Sequence, residues 1–343
     1  MTNRGAVVCA FLTSLMATTV AHGADKAPPA PEPAVSGIGV ALPPLSDRDR
    51  QKLTARAEAG DLDAMYELAH HALRSGDPVM GGPMYYWGSW NDPRESERWW
   101  RKAAALGDPK AMILLGHLYA EPWGVPQDIQ EAASWFQKAA QKNNLEAIQD
   151  LIDLYLGAWS DERDDAAANV WLQRAAAMSD AHAMMILGLR YDAGWGIRED
   201  PVEAARWYMK VIERDGSEDD RRTQSIAWNN LGALYELGRG VPKNESKAAE
   251  LYRKAAGYVP FSLPAMYNLA SLCAEGRGVP QNRNAAIRLY LVVDWYGVPE
   301  AGQALARLGV QRLEIRSEKD LMGVQGIELV NKLARKGANA CDF

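Results

Sequence analysis

The chain of 343 residues lacks most of the side-chain arrangements that enzymes and metalloproteins display. It has only 3 cysteines and 5 histidines, and it contains neither H-E-x-x-H nor a cysteine and a histidine at metal-ligand spacing. A phosphate-binding glycine loop, a G-x-S-x-G motif and a cysteine with a plausible histidine partner are missing as well. The sequence therefore predicts a protein with no catalytic residues, no metal and no other cofactor.

Positive charge is also scarce. The 38 lysines and arginines are outnumbered by 44 aspartates and glutamates, which gives a formal net charge of −6. Basic clusters and interleaved basic and aromatic stripes, the surfaces by which proteins bind nucleic acids, do not occur. We therefore expect no nucleic-acid partner.

The only long apolar stretch lies at the N-terminus. Residues 5–20 follow Arg4 and precede Ala21-His22-Gly23, which fits a small-x-small cleavage site. The stretch is short for a membrane-spanning helix. We predict a signal peptide over residues 1–23, cleavage before Ala24, a periplasmic or secreted protein, and no stable membrane anchor afterwards. Residues 24–46, rich in proline and alanine, predict an extended linker.

The remaining sequence is organised by a repeated unit, whose clearest copy runs from Leu231 to Ala256. Two segments with apolar residues at helical spacing flank Gly238-Arg239-Gly240-Val241-Pro242, where glycine permits positive φ and proline ends a helix. The unit is therefore predicted to be a helix hairpin. Each copy has a residue, usually small, in the middle of the first helix and an aromatic residue or leucine in the second helix. In five copies the interval between these two residues is 19: Gly116 to Trp135, Ile152 to Trp171, Gly188 to Trp207, Gly232 to Leu251 and Ala270 to Leu289.

The first copy is longer than the others. The interval from Ala69 to Trp99 is 30 residues, which is the common 19 with 11 added. The added residues lie within 75–93, a Gly- and Pro-rich segment that contains four large aromatic residues. Two interpretations stay open: the rings cover the N-terminal end of the repeat array, or they contact a ligand.

Hairpins that recur at this period predict a solenoid, since one hairpin cannot bury its own apolar face. The pattern A-x-x-x-L-G-x-L-Y-x-x-G-x-G-V, then K-A-x-x-W-Y-x-K-A-A, resembles the Sel1-like repeat family, which is related to the tetratricopeptide repeats. In the third copy Leu156-Gly157-Ala158-Trp159-Ser160-Asp161 replaces the G-x-G-V turn. The resemblance implies an all-α fold: a right-handed α-solenoid of about six helix-turn-helix repeats over residues 47–297, with a C-terminal helical cap over 298–343.

By the same resemblance, a partner is expected on the concave face, formed by first-helix positions three before and one and four after the small residue. Such a mixture of apolar and hydrogen-bonding side chains suits an extended peptide or protein segment. For apolar members such as Ile113 and Met185, packing between helices is an equal alternative. With the aromatic insertion, the predicted partner-binding residues are Tyr66, His70, Tyr86, Trp87, Trp90, Ile113, His117, Gln149, Asp153, Met185, Asp192, Asn229, Glu236 and Tyr267.

The family resemblance implies a non-enzymatic scaffold for protein–protein interaction. Two roles stay open: an adaptor or regulator of an envelope complex, and an immunity-type inhibitor of an exported toxin, as some exported Sel1-like proteins are. The competing hypothesis is an enzyme acting on cell-wall or β-lactam substrates, which has been described for cysteine-rich relatives. Those relatives carry a disulfide in each repeat, and this chain does not.

Two cysteines remain after the predicted export, Cys273 and Cys341. Cys273 stands where other repeats have tyrosine. Because the expected compartment is oxidising, we predict a disulfide that attaches the C-terminal cap to the sixth repeat. The alternative is that Cys273 is a small buried packing residue and Cys341 is free near the chain end.

Overall fold

All regular secondary structure in the described part of the chain is helical. The computed structural model describes residues 45–74, 92–121, 125–214, 218–257, 262–310 and Cys341. Tyr86, Trp87 and Trp90, the signal peptide and most of the linker lie outside these residues. The helices are α1 Asp47–Glu58, α2 Leu62–Arg74, α3 Pro93–Ala105, α4 Pro109–Ala120, α5 Ile129–Ala140, α6 Leu145–Tyr155, α7 Asp165–Ala177, α8 Ala181–Ala193, α9 Pro201–Ile212, α10 Glu218–Leu237, α11 Glu245–Ala256, α12 Leu263–Glu275, α13 Arg283–Trp295 and α14 Pro299–Arg307.

The chain divides into two compact units between Met178 and Ser179. The N-terminal unit contains α1 to α7 and the C-terminal unit contains α8 to α14. Within each unit every helix packs against the next one in sequence. Each unit is thus an α-solenoid of helix hairpins, which confirms the predicted fold class; the right-handed twist stays a prediction.

Polar caps fix where the second helix of each hairpin begins. The residue 12 positions after the small residue of the first helix starts the second helix, and its side chain accepts a hydrogen bond from a backbone N–H two or three residues further on. Its own N–H donates to the backbone carbonyl of the first helix, as Asp128 does to Tyr119 at 2.8 Å. Such a cap contributes about 1 kcal/mol to helix stability. The caps at this spacing are Asp128, Asp164, Asp200, Asn244 and Asn282. Asp92 caps the second helix of the first repeat, where the 11 added residues lengthen the interval from Ala69 to 23.

Glycine in the first helix allows a buried ring of the second helix to lie directly on the backbone. A Cβ atom at Gly116 would stand 2.3 Å from Phe136, and one at Gly232 would stand 2.8 Å from Tyr252. Both rings are fully buried. Glycine at this position of the first helix therefore permits close approach of the two helices.

In the fifth and sixth repeats the turn between the hairpin helices contacts the preceding repeat. Gly240 has a φ of 66°, and a Cβ atom there would lie 2.3 Å from the backbone of Pro201, at the start of α9. Gly278 has the same relation to Glu245, at the start of α11. The second glycine of the G-x-G turn is therefore required by a contact between repeats as well as by its backbone angle.

Cys273 and Cys341 are bonded in the structure, with their Cα atoms 5.8 Å apart. Both residues are buried. The side-chain amide of Asn282 donates to the Cys341 carbonyl oxygen at 2.9 Å. Of the predicted C-terminal cap, α14 is present, and residues 311–340 lie outside the described part.

Candidate functional site

In the third, fifth and sixth repeats the middle residue of the turn, seven positions after the small residue of the first helix, contacts side chains of the preceding repeat. Trp159 stacks on Phe136 with ring centroids 6.0 Å apart. In the fifth and sixth repeats the same position holds arginine, and Arg277 pairs with Glu236 at 2.8 Å. Glu236 also accepts a hydrogen bond from the buried hydroxyl of Tyr252 at 2.8 Å. The type of turn residue therefore changes with the ring of the preceding repeat. Trp159 lies on a phenylalanine, whereas Arg277 pairs with the glutamate that accepts a hydrogen bond from a tyrosine.

In the N-terminal unit this arrangement creates a group of charged side chains on the first helices. We call it the His117 cluster: His117 of α4 and Glu121 at its end, Asp150 and Asp153 of α6, and Trp159 of the following turn. The imidazole Nε2 of His117 lies 3.5 Å from Asp150 Oδ2. Its ring meets Trp159 edge-on, with centroids 5.8 Å apart. The cluster thus joins the first helices of the second and third repeats.

Burial changes the acidity of this cluster. Glu121 is only 7% exposed, and burial raises the pKa of its carboxyl to about 7, although His117 and a hydrogen bond with Trp159 lower it. Burial and the charge of Asp150 raise the pKa of Asp153 to about 6. Since Asp153 is an exposed residue, solvent screens part of that shift.

His117 shifts in the same direction. Burial lowers the pKa of its imidazole, but the hydrogen bond and the charge of Asp150 raise it, as do the charges of Glu121 and Glu146. The pKa therefore lies above the usual histidine value. A single imidazole faces three carboxylates, so the cluster becomes negatively charged as pH rises through the neutral range.

The first helices of the C-terminal unit present a different, amide-rich surface. The side chain of Asn268 in α12 donates to Asn229 in α10 at 3.1 Å, and Asn229 donates to Asn230 at 3.0 Å. Tyr267 lies beside this row and meets Tyr290 edge-on at 5.3 Å. These groups are half-buried except for Asn230 and Tyr290, which are buried. The row can offer hydrogen bonds to an extended backbone.

Three of the predicted partner-binding residues are buried in the structure, and their role in partner binding stays a prediction. Ile113 and Met185 are 4% and 3% exposed, because packing between neighbouring helices takes up these apolar side chains. Asp192 is 8% exposed and pairs with Arg239 of the next repeat at 3.1 Å. For Asp192 a contact between repeats, which one repeat alone does not encode, covers the side chain.

The other predicted residues in the described part keep some exposure. Tyr66 donates a hydrogen bond to Asp108, and Glu236 is committed to the pair with Arg277. His70, Gln149 and Asp153 are exposed, and His117, Asn229 and Tyr267 are half-buried. Of the predicted partner-binding residues in the described part of the chain, His117 and Asp153 are the two that belong to the His117 cluster.

Sequence reasoning missed Glu121, Asp150 and Trp159. The departure of the third repeat from the G-x-G-V turn could have indicated Trp159, together with phenylalanine at 136 where the fourth and fifth repeats have tyrosine. Glu121 and Asp150 carry no such signal, because their positions lie outside the predicted groove set.

The described residues contain neither a candidate metal-binding group nor a candidate membrane-spanning helix. No group of three or more His, Cys, Asp or Glu side chains among them could hold a metal ion. Within the same ranges, no helix has both the length and the apolar character needed to cross a membrane.

Within each unit the chain consists of helix hairpins packed one against the next. This architecture places it in the class of helical-repeat proteins. The family profile described as Sel1 repeat matches residues 62–108, 109–144, 154–180, 181–210, 226–256 and 263–291, together more than half of the chain. The chain therefore belongs to the Sel1 repeat family, whose members generally act as scaffolds for protein interaction. The six matches agree with the six predicted repeats. No match was found among curated proteins.

Several solved structures resemble the chain. A Sel1 repeat protein from Oxalobacter formigenes is 26% identical over 70% of this chain and 94% of its own, with a TM-score of 0.48. The protective antigen c5321 of uropathogenic Escherichia coli, which displays an SLR fold, is 27% identical over 86% and 65%, with a TM-score of 0.42. The immunity protein Pa5087 from Pseudomonas aeruginosa is 21% identical over 74% and 84%, with a TM-score of 0.28.

Proposed function

We propose that this protein is a non-enzymatic interaction scaffold of the bacterial envelope, exported to the periplasm or beyond, that binds a segment of another protein along its first-helix surface. The observation that carries the proposal is the His117 cluster. Its carboxylates outnumber its single imidazole, and Asp153 is exposed at its edge. Charge complementarity then favours a partner segment that contains lysine or arginine.

Two roles are compatible with this function. An adaptor or regulator would bind a component of an envelope complex, and an immunity-type inhibitor would bind an exported toxin and block its activity. The identity of the bound protein distinguishes them. We therefore start from capture of partners on the mature chain from a periplasmic extract, followed by mass spectrometry.

The binding surface is tested with the captured partner and two variants of equal charge change. Asp153→Asn removes an exposed carboxylate of the cluster, and we expect affinity to fall about fivefold, on the order of 1 kcal/mol. Binding should also weaken with added salt, because the attraction between exposed charges is screened. Calorimetric titration measures both effects.

The matched control is Glu213→Gln, which removes an exposed carboxylate at the end of the second helix α9. Its affinity for the partner should equal that of the wild type. Equal losses in both variants would mean that net charge alone attracts the partner, and an unchanged Asp153→Asn variant would place the binding surface elsewhere. Either result contradicts docking at the His117 cluster.

A further inference from the structure

We propose that the His117 cluster is a proton-controlled lock between the second and third repeats. When protonated it holds α4 and α6 together, and when deprotonated it loosens them and leaves the first-helix surface negatively charged. The consequence for a partner rests on the proposed function. The lock itself is a property of the unbound chain and can be tested without a partner.

The geometry places groups from four elements around one imidazole. α4 provides His117 and, at its end, Glu121; α6 provides Asp150 and Asp153. The stacked rings of Phe136, from α5, and Trp159, from the turn, close the apolar side. Asp150 Oδ2 is buried and has no other hydrogen-bond partner among the described residues. Its contact with His117 Nε2 is 3.5 Å long. The imidazole is therefore the natural counter-charge for Asp150.

The charges acting on the cluster come from within it or share its sign. His117 and Asp150 are the charges that act on Glu121 and on Asp153. Asp150, Glu121 and Glu146 act on His117, and Glu146 is also on α6. α5 contributes the uncharged ring of Phe136 and the turn contributes Trp159. Once the imidazole loses its proton, none of these groups balances the carboxylates.

The charge of the cluster changes strongly over a narrow pH range. With His117, Glu121 and Asp153 protonated, the imidazolium cancels the charge of Asp150. With all three deprotonated, three carboxylates stand close together, and one of them is buried. Like charges in a poorly solvated site repel strongly. The repulsion acts between α4 and α6, because Glu121 follows one helix and the two aspartates lie on the other.

The direction of the pH effect follows from the shifted groups. The pKa values of Glu121, Asp153 and His117 are all raised in the folded chain. The folded state therefore binds more protons than the unfolded state near neutral pH, and stability falls as pH rises. For Glu121 the loss begins above the ordinary pKa of 4.5 and ends near 7, and for Asp153 it begins above 3.8 and ends near 6. The loss from these two carboxyls therefore falls mainly between about pH 4 and pH 7.

The test compares urea unfolding of the mature chain at pH 5.5 and pH 8.0, with amide hydrogen exchange to localise the change. We expect the unfolding equilibrium constant of the N-terminal unit to rise about tenfold at pH 8.0, a one-unit shift after allowance for solvent screening. After correction for intrinsic exchange, protection should fall in α4 and α6 and hold in α12. Glu121→Gln, which keeps an acceptor for Trp159, should reduce the pH dependence. The control Glu213→Gln should leave it unchanged.

An unchanged pH dependence in Glu121→Gln would overturn the lock. If that variant fails to fold, carbon-13 NMR of the wild-type Glu121 carboxyl decides: titration near 7 supports the lock, and titration below about 5 overturns it. The partner proposal is judged separately by affinity at the two pH values. A working lock with pH-independent affinity would contradict docking at this surface and leave the lock intact.

Discussion

At Gly116 a single hydrogen atom in place of a methyl group determines how closely two helices approach. The Phe136 ring occupies the space that a Cβ atom would need, and through that ring Gly116 also supports Trp159 and the His117 cluster. The same relation recurs at Gly188 with Tyr208 and at Gly232 with Tyr252. The glycine thus serves packing and site geometry together.

We predict that Gly116→Ala destabilises the N-terminal unit by about 1–3 kcal/mol through overpacking, even though alanine is the better helix former. Gly232→Ala should cost less, since its Cβ atom would stand 2.8 Å from the ring rather than 2.3 Å. Chemical denaturation of the two variants measures both losses. The explanation fails if alanine at position 116 is neutral or stabilising.

Among the elements, the hairpins were predictable because the information for each is local. Leucine and alanine at helical spacing, an Asp or Asn cap 12 residues after the small residue, and glycine in the turn recur in almost every repeat. The site was less predictable because it forms between repeats. Arg239 covers Asp192 of the preceding repeat, and neither residue reveals the other in the sequence.

The sixth repeat provides the element-scale prediction. The disulfide closes a sequence separation of 68 residues, for which chain entropy gives on the order of 4 kcal/mol. We expect Cys341→Ser to destabilise the C-terminal unit by up to this amount, measured by denaturation without reductant. Reduced wild-type protein should match the variant. Two free thiols in exported protein, counted by mass after alkylation under denaturing conditions, would refute the bond.

For the whole molecule, the proposed function requires export. The N-terminal stretch predicts removal of residues 1–23, so protein recovered from the periplasm or the medium of a Gram-negative host should begin at Ala24. Intact mass of the fractionated protein measures this. A variant lacking residues 2–23 should stay in the cytoplasm, and full-length protein that retains Met1 in every fraction would contradict export.

The contact between a turn and the preceding repeat has a consequence for how such a chain can evolve. The sequence repeats with the hairpin, but Trp159 completes the surroundings of Phe136, and Arg277 completes those of Glu236, one hairpin back. A duplication that copies one hairpin would therefore place a turn residue over a ring it was not selected to match. Successful gains and losses of repeats should keep each ring together with the turn of the following hairpin. The unit that is duplicated or lost should therefore begin and end within hairpins and not at their boundaries.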